Sequence, residues 1–339
     1  MSGTMRAAVT AVFGQPPEPR EVPVPTAAPD ELLIKVRSVG LCGSDLKVNS
    51  GAIPGLRTPL IQGHEVSGEV VSGPAGWAGG ERVALYTFQP CNQCAWCLRG
   101  QTNLCPTARR IGFERDGGLA EYVTARPVDV VRFGPDLGFD AAAVTMDAVL
   151  TPWRAVRVRA GLKPGERLAV VGAGGLGLHA VQIAVALGAH VAVVDLSQAR
   201  RASALELGAE LAVGPDSAEE ILDWSAGGVD AALEASGAPA GFTTAVRVVR
   251  PGGAVVCCGY KPGSDVAADS MKLALAELTV LGSRGGARAD AAEAVAAVER
   301  GEVRPLIAKA GGMDDVPRFF EELAAGESVG RLVVHPSGS

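Results

Sequence analysis

Three things are absent from this chain of 339 residues. Positive charge is not in surplus: 31 lysines and arginines are scattered among 37 acidic residues, for a formal charge of −6. No basic stripe is left to neutralise a nucleic-acid backbone, so nucleic acid is not an expected partner. No apolar run reaches the length of a membrane span, and the opening residues MSGTMRAAVTAVFGQPPEP lack an apolar core followed by a small-residue cleavage site. Neither membrane association nor export is therefore expected, and the cytoplasm is the expected compartment. Internal repeats and low-complexity tracts are missing too. What remains is an ordinary globular composition, 47% hydrophobic, in a chain long enough for two domains with substantial cores.

The texture changes once, near residue 148. Before it, proline and glycine punctuate short β-branched runs such as ELLIKVRSVG, GEVVSG and ERVAL, which read as strands joined by frequent turns. The proline-rich stretch QPPEPREVPVPTAAPDE reads as a loop between strands. From about residue 165 the pattern becomes strand, glycine turn, helix, strand in RLAVVGAGGLGLHAVQIAVALGAHVAVVD. Alternation continues with ARRASALELGA as a helix, GVDAALEAS as a strand, GFTTAVRVVRPGG as a helix and AVVCCGY as a strand. A doubly wound parallel sheet is the natural closure.

Gly172, Gly174 and Gly177 form GxGxxG between a strand and a helix, with Gly175 and Leu176 completing the turn. Bare backbone N–H groups at a helix N-terminus can meet a pyrophosphate there. Asp195 ends the second strand, eighteen residues after Gly177, where a carboxylate accepts hydrogen bonds from ribose hydroxyls and repels a 2′-phosphate. NAD is thus favoured over NADP, although Arg200 and Arg201 lie near enough to sit beside a phosphate. The plainer alternative is a tight structural turn with a solvent-facing aspartate.

Of seven cysteines, four fall within CNQCAWCLRGQTNLC: Cys91, Cys94, Cys97 and Cys105, with intervals of two, two and seven residues. In a reducing compartment such a cluster reads as a metal site, and four thiolates at short range suit closed tetrahedral zinc. A closed site has no position for substrate, so its work is to hold the loop in shape. Iron–sulfur ligation is the rival, with Pro106 after the fourth cysteine, but the seven-residue gap is wider than such clusters show. Cys257 and Cys258 lie in an apolar run and read as core thiols. His179, His190 and His335 have no ligand-type neighbours in sequence. A second metal site would have to draw on Cys42, His64, Glu65 and Asp147, which spacing alone does not join.

The stretches VGLCGSDL, GHEVSGEV, GERV, the four-cysteine lobe, DGGLAEYV, MDAVLTPW, VVGAGGLG, VVD and ESVGRLVV, in this order, resemble the zinc-containing alcohol dehydrogenases of the medium-chain dehydrogenase/reductase superfamily over nearly the whole chain. The resemblance implies an α/β protein with a GroES-like β-rich catalytic domain over 1–148, a Rossmann NAD-binding domain over 149–283, and a return to the catalytic domain over 284–339. It implies two zinc ions per chain, the catalytic one ligated by Cys42, His64 and Asp147, with Glu65 ligating or supporting it. Asp147 takes a position that is cysteine or glutamate in other branches.

By the same resemblance Ser44 hydrogen-bonds the substrate oxygen and begins a proton relay. The histidine that usually finishes the relay is replaced by Lys47, which could pass a proton, meet a cofactor phosphate or point into water; for a lone lysine, water is the ordinary surrounding. Gly259 and Tyr260 are implied near the nicotinamide. A homodimer or homotetramer is implied, with ELTVLGS as a pairing edge. The expected function is zinc-dependent hydride transfer between NAD(H) and a small-molecule alcohol or carbonyl compound, a secondary alcohol or polyol-like one. Reduction of a C=N or conjugated C=C bond on the same fold, or a non-catalytic zinc and nucleotide binding protein, are the alternatives.

Overall fold

A computed structural model describes residues 3–326 and 328–338. The chain divides into two compact units, one comprising residues up to Asp147, Ala287–Arg300 and the chain from Pro305, the other Ala148–Gly286 and Gly301–Arg304.

The first unit is built on the strand Leu32–Leu41, whose LLIKVRSVGL is buried on both faces. It pairs antiparallel with Glu65–Ser72, Tyr122–Ala125 and the C-terminal strand Arg331–His335. The last pairing sets Val334 against Val39 and Leu332 against Leu41, so the end of the chain completes the sheet begun near its start. Val36, Val39, Leu41, Val66, Leu119, Phe319 and Val334 share one core, each such side chain contributing about 1.5–3 kcal/mol by burial. The proline-rich segment is more ordered than a loop: Glu18–Pro23 is a strand paired antiparallel with Thr4–Thr10. It lies at the edge of its three-stranded sheet, where prolines cost no ladder hydrogen bond.

The second unit is a six-stranded parallel sheet in the order Leu211–Val213, His190–Val194, Arg167–Val171, Val229–Glu234, Val249–Cys257, Thr279–Gly282. The valine-rich central strands are covered on both faces, as an all-parallel sheet requires. The helix expected over 241–253 is shorter, Pro239–Val248, because Val249 turns extended and opens the next strand. Pro251, Gly252 and Gly253 sit in that strand where its register with Val229–Glu234 shifts. Among the described residues no helix is long and apolar enough to cross a membrane.

Candidate functional site

The lobe over 91–105 has a short α-helix, Ala95–Leu98, with no buried residue, and a 3-10 turn, Thr102–Leu104, that buries only the polar Thr102 and Asn103, so hydrophobic burial does not hold it. Its four thiols converge instead. Sulfur–sulfur distances are 3.5 Å for Cys94–Cys97, 3.6 Å for Cys91–Cys105 and 3.9 Å for Cys91–Cys97 and Cys94–Cys105. These are too long for disulfides, and all seven cysteines are free. They match the edges, about 3.8 Å, of a tetrahedron with zinc–sulfur arms. The N–H groups of Gln93 and Cys94 lower the Cys91 thiol to about 6, whereas desolvation and its sulfur neighbours push Cys97 up to about 12. All four thiols deprotonate together only with a cation among them.

The second cluster joins Cys42, His64, Glu65 and Asp147, each offering a ligand atom within 4.8 Å of the others. Cys42 follows the strand Leu32–Leu41 and caps the helix Gly43–Asn49; Glu65 opens the strand beside it; Asp147 stands in the π-helical turn Thr145–Val149. The strand pairing sets Gly40 opposite Glu65, and a Cβ at Gly40 would lie 2.1 Å from Glu65 Oε2, so glycine there makes room for the carboxylate. Asp147 Oδ2 is 3.2 Å from Cys42 Sγ and 3.7 Å from His64 Nε2, close to the edges of about 3.3–3.8 Å set by zinc with oxygen, nitrogen and sulfur ligands. Thiolate, imidazole and carboxylate are a donor set zinc accepts.

Two further residues organise this cluster, and the sequence reading passed over both. Asp45, fully buried, accepts the Cys42 N–H at 2.8 Å and faces His64 Nδ1 at 3.3 Å. With the Nδ1 proton toward Asp45, Nε2 is left to a metal. Arg331, also buried, brackets Glu65 with Nε at 2.9 and 3.3 Å from its two oxygens. Its terminal nitrogen reaches Cys42 Sγ at 3.4 Å and Asp147 Oδ2 at 3.3 Å. Both residues lay inside stretches already quoted, VGLCGSDL and ESVGRLVV. The available signals were an acid three residues after a helix cap and a single cation opening an apolar strand.

Burial disfavours the His64 imidazolium, but the Asp45 charge and bonds to Asp147, Asp45 and Cys42 more than offset it and hold the ring well above its ordinary range. Burial also pushes the Glu65 carboxyl up to about 8, against the pull of Arg331. Arg331 stays charged: burial opposes it, and Cys42, Glu65 and Asp147 outweigh burial.

Ser44 Oγ donates to Cys42 Sγ at 3.2 Å and lies 3.3 Å from His64 Nε2, so a hydroxyl stands beside the donor set. Lys47, three residues further along the same helix, is half-buried rather than solvent-exposed; desolvation lowers its pKa against the Cys42 and Asp147 charges. Phe113 is buried with its ring 5.1 Å from that of His64.

In the second unit the glycine turn is tightly built. A Cβ at Gly177 would meet the Gly172 carbonyl oxygen at 1.9 Å, and one at Gly172 would meet the Ser236 nitrogen at 2.7 Å. A Cβ at Gly174 would meet nothing, so packing does not account for that glycine. The N–H groups of Gly174, Gly175 and Leu176 donate to no protein group among the described residues, which is the arrangement an anion at a helix N-terminus needs. Asp195 takes the Ala173 N–H at 2.7 Å on Oδ2 and the Ser197 N–H at 2.8 Å on Oδ1, and each oxygen keeps a lone pair for a hydroxyl. Arg201 is committed to the carbonyls of Asp195 and Leu196. Gly259 is fixed by close approach to Gly237 and Ala235, and Tyr260 is exposed beside it. Cys258 is buried, and burial raises the half-buried Cys257 to about 11, as suits core thiols. His190 and His335 do have partners, Glu210 and Asp140.

A parallel dinucleotide-type sheet with orphaned glycine-turn donors, and a β-rich unit carrying one four-thiol and one mixed-donor cluster, define a zinc-binding oxidoreductase of the nicotinamide-linked class. Comparison with known proteins narrows this. An alcohol dehydrogenase GroES-like domain matches residues 28–135, and a zinc-binding dehydrogenase domain matches residues 175–300. An alcohol dehydrogenase of Geobacillus stearothermophilus is 34% identical over 97% of this chain and 99% of its own length. Among solved structures, an NAD-dependent alcohol dehydrogenase superposes with TM-score 0.93 at 27% identity, over 98% of this chain and 100% of that one. A zinc-binding dehydrogenase from Sinorhizobium meliloti 1021 bound to NADP does so with TM-score 0.91 at 29% identity, over 98% and 100%. This chain belongs to the zinc-dependent alcohol dehydrogenase family of the medium-chain dehydrogenase/reductase superfamily.

Proposed function

We propose that the protein interconverts an alcohol, a secondary one, and its carbonyl compound with NAD, using one zinc ion at Cys42, His64 and Asp147 and a second at Cys91, Cys94, Cys97 and Cys105. The carrying observation is the convergence of thiol, imidazole and carboxylate from positions 42, 64 and 147 within 4.8 Å. The first unit is assigned as the catalytic domain and the second as the cofactor domain. When bound, zinc supplies a Lewis acid that makes an alcohol hydroxyl more acidic, and NAD supplies the hydride acceptor.

The chain's own groups do the rest. Asp45 fixes the His64 ring, and Arg331 ties Glu65, Asp147 and Cys42 into one frame. Glu65, with both oxygens engaged by Arg331, supports the donor set from behind. Ser44 Oγ takes the substrate hydroxyl proton, and Lys47, one helical turn on, receives it; desolvation favours the neutral amine that this needs. Gly174, Gly175 and Leu176 bind the pyrophosphate, and Asp195 binds the adenosine ribose and disfavours a 2′-phosphate. With Arg201 committed to backbone carbonyls, the NADP-bound relative notwithstanding, NAD is the assigned cofactor, Arg200 lying beside the adenosine end and Gly259 and Tyr260 at the nicotinamide end. Free thiols throughout suit the cytoplasm. The edge strand Thr279–Gly282, with Val280 exposed and Met271 and Leu275 exposed on the helix before it, supports a homodimer or homotetramer.

The test is a screen of secondary alcohols and ketones with NAD and NADP, run on wild type and on Cys42→Ala, with light scattering of the same preparation to read the oligomer. Turnover with NAD that disappears in Cys42→Ala is expected. Activity that survives the substitution, or is faster with NADP, defeats the assignment.

A further inference from the structure

Helix Gly177–Ala186 begins at the glycine turn and carries His179 within its first turn, fully buried. An apolar residue would satisfy packing there, whereas a buried imidazole needs polar partners. One partner is the Gly175 carbonyl oxygen, 2.6 Å from Nδ1. A carbonyl only accepts, so Nδ1 carries the proton and donates it.

The bond restrains the peptide between Gly175 and Leu176. In a trans peptide the N–H lies opposite the C=O. With the carbonyl drawn in toward His179, the Leu176 N–H faces the other way, and it is one of the three turn donors that bond no protein group among the described residues. Gly174 and Gly175 place no side-chain restraint on this peptide. Turned over, it would present an oxygen to a pyrophosphate and withdraw the N–H.

We propose that His179 is a positioning residue for the dinucleotide pyrophosphate, acting through the Gly175 carbonyl to aim the Leu176 N–H; this rests on the dinucleotide reading above. The test uses zinc-loaded, full-length protein and displacement of NADH fluorescence by ADP-ribose, which carries the pyrophosphate, and by adenosine, which does not. His179→Leu removes the donor. His179→Asn restores an amide N–H the same number of bonds from the backbone as Nδ1. His179→Leu is expected to weaken ADP-ribose on the order of tenfold, the worth of one hydrogen bond to a charged group, while adenosine stays within about twofold. His179→Asn is expected to recover most of the loss, and KM for NAD to move more than kcat. Unchanged ADP-ribose affinity in His179→Leu overturns the assignment. So does an equal loss for both ligands that His179→Asn does not repair, since that is core damage. Wild-type protein that binds neither NADH nor ADP-ribose removes the dinucleotide reading itself, before any variant is made.

Discussion

Four thiols from fifteen consecutive residues make one cluster of the β-rich unit, while a thiol, an imidazole and two carboxylates from positions 42 to 147 make the other. The first sits in a lobe with almost no apolar core: its α-helix buries nothing, the 3-10 turn Thr102–Leu104 buries only the polar Thr102 and Asn103, and Leu98 is 76% exposed. Little besides a metal can order such a segment. The second sits on strands whose core is complete without it, and His64 is 3% exposed. There the scaffold holds the ligands, and Asp45 and Arg331 hold them a second time. A cluster that must make its own structure is closed on itself; one that inherits structure can leave a ligand position for chemistry.

The sharpest break in that comparison is a pair of substitutions with opposite expected signatures. Cys42→Ala should lower kcat/KM on the order of a thousandfold, the several kcal/mol a Lewis acid supplies, with a melting temperature near wild type. Cys94→Ser should do the reverse. The lobe loses roughly 3 kcal/mol or more of metal-coupled folding energy, the melting temperature falls on the order of 10 °C, and the lobe becomes sensitive to protease. Activity per folded molecule should stay within a few-fold of wild type. Calorimetry and steady-state kinetics on one preparation separate the two. A Cys94→Ser protein that keeps its stability but not its turnover would show the lobe to be chemical after all.

The same contrast decided what could be read from the sequence. The convergence of Cys91, Cys94, Cys97 and Cys105 was legible because these thiols are neighbours along the chain, so their spacing is their geometry. The glycine turn and Asp195 were legible because strand, turn and helix follow one another along the chain. Cys42, His64 and Asp147 were joined only through resemblance, since pairing in an antiparallel sheet, not spacing, brings positions 40 and 65 face to face. Arg331 stood out only as a lone cation on an apolar strand, and its place at the cluster was hidden for the same reason: it returns beside Leu41 only when the last strand completes the first sheet. The strand Glu18–Pro23 was hidden because proline composition argues for a loop, and only a sheet edge overrides that.

A smaller effect sharpens the claim that the second cluster is held twice over. Asp45→Asn keeps an oxygen for the Cys42 N–H but loses the carboxylate facing His64 Nδ1. Zinc affinity at that cluster should fall by roughly 10- to 100-fold, as when a partner behind a metal-bound histidine is removed, while the lobe keeps its zinc. Chelator titration should then strip one ion early and one late, and excess zinc should restore most of the turnover. Equal loss of both ions would mean that the clusters are coupled, and the contrast would fail.

The gentlest test is pH. Cys91 is lowered to about 6 from a thiol's ordinary 9.0. A depressed acid adds stability that is full above its unfolded value and lost as pH falls toward the folded one, so the contribution of Cys91 declines below its ordinary 9.0 and is spent near 6, where the thiolate itself takes up the proton. His64 is shifted the other way. Held well above its ordinary 6.5 by Asp45, Asp147 and Cys42 in spite of burial, its imidazolium is favoured in the fold, and a metal must displace that proton at neutral pH already. As pH is stepped from about 8 to about 5, zinc release followed with a coloured chelator should therefore come in two phases. Activity should vanish with the first phase and the lobe's order with the second. A single phase, or release from the lobe first, would mean that the local, self-closed cluster is not the tighter one, and the distinction between a cluster that builds its fold and one that borrows it would have to be given up.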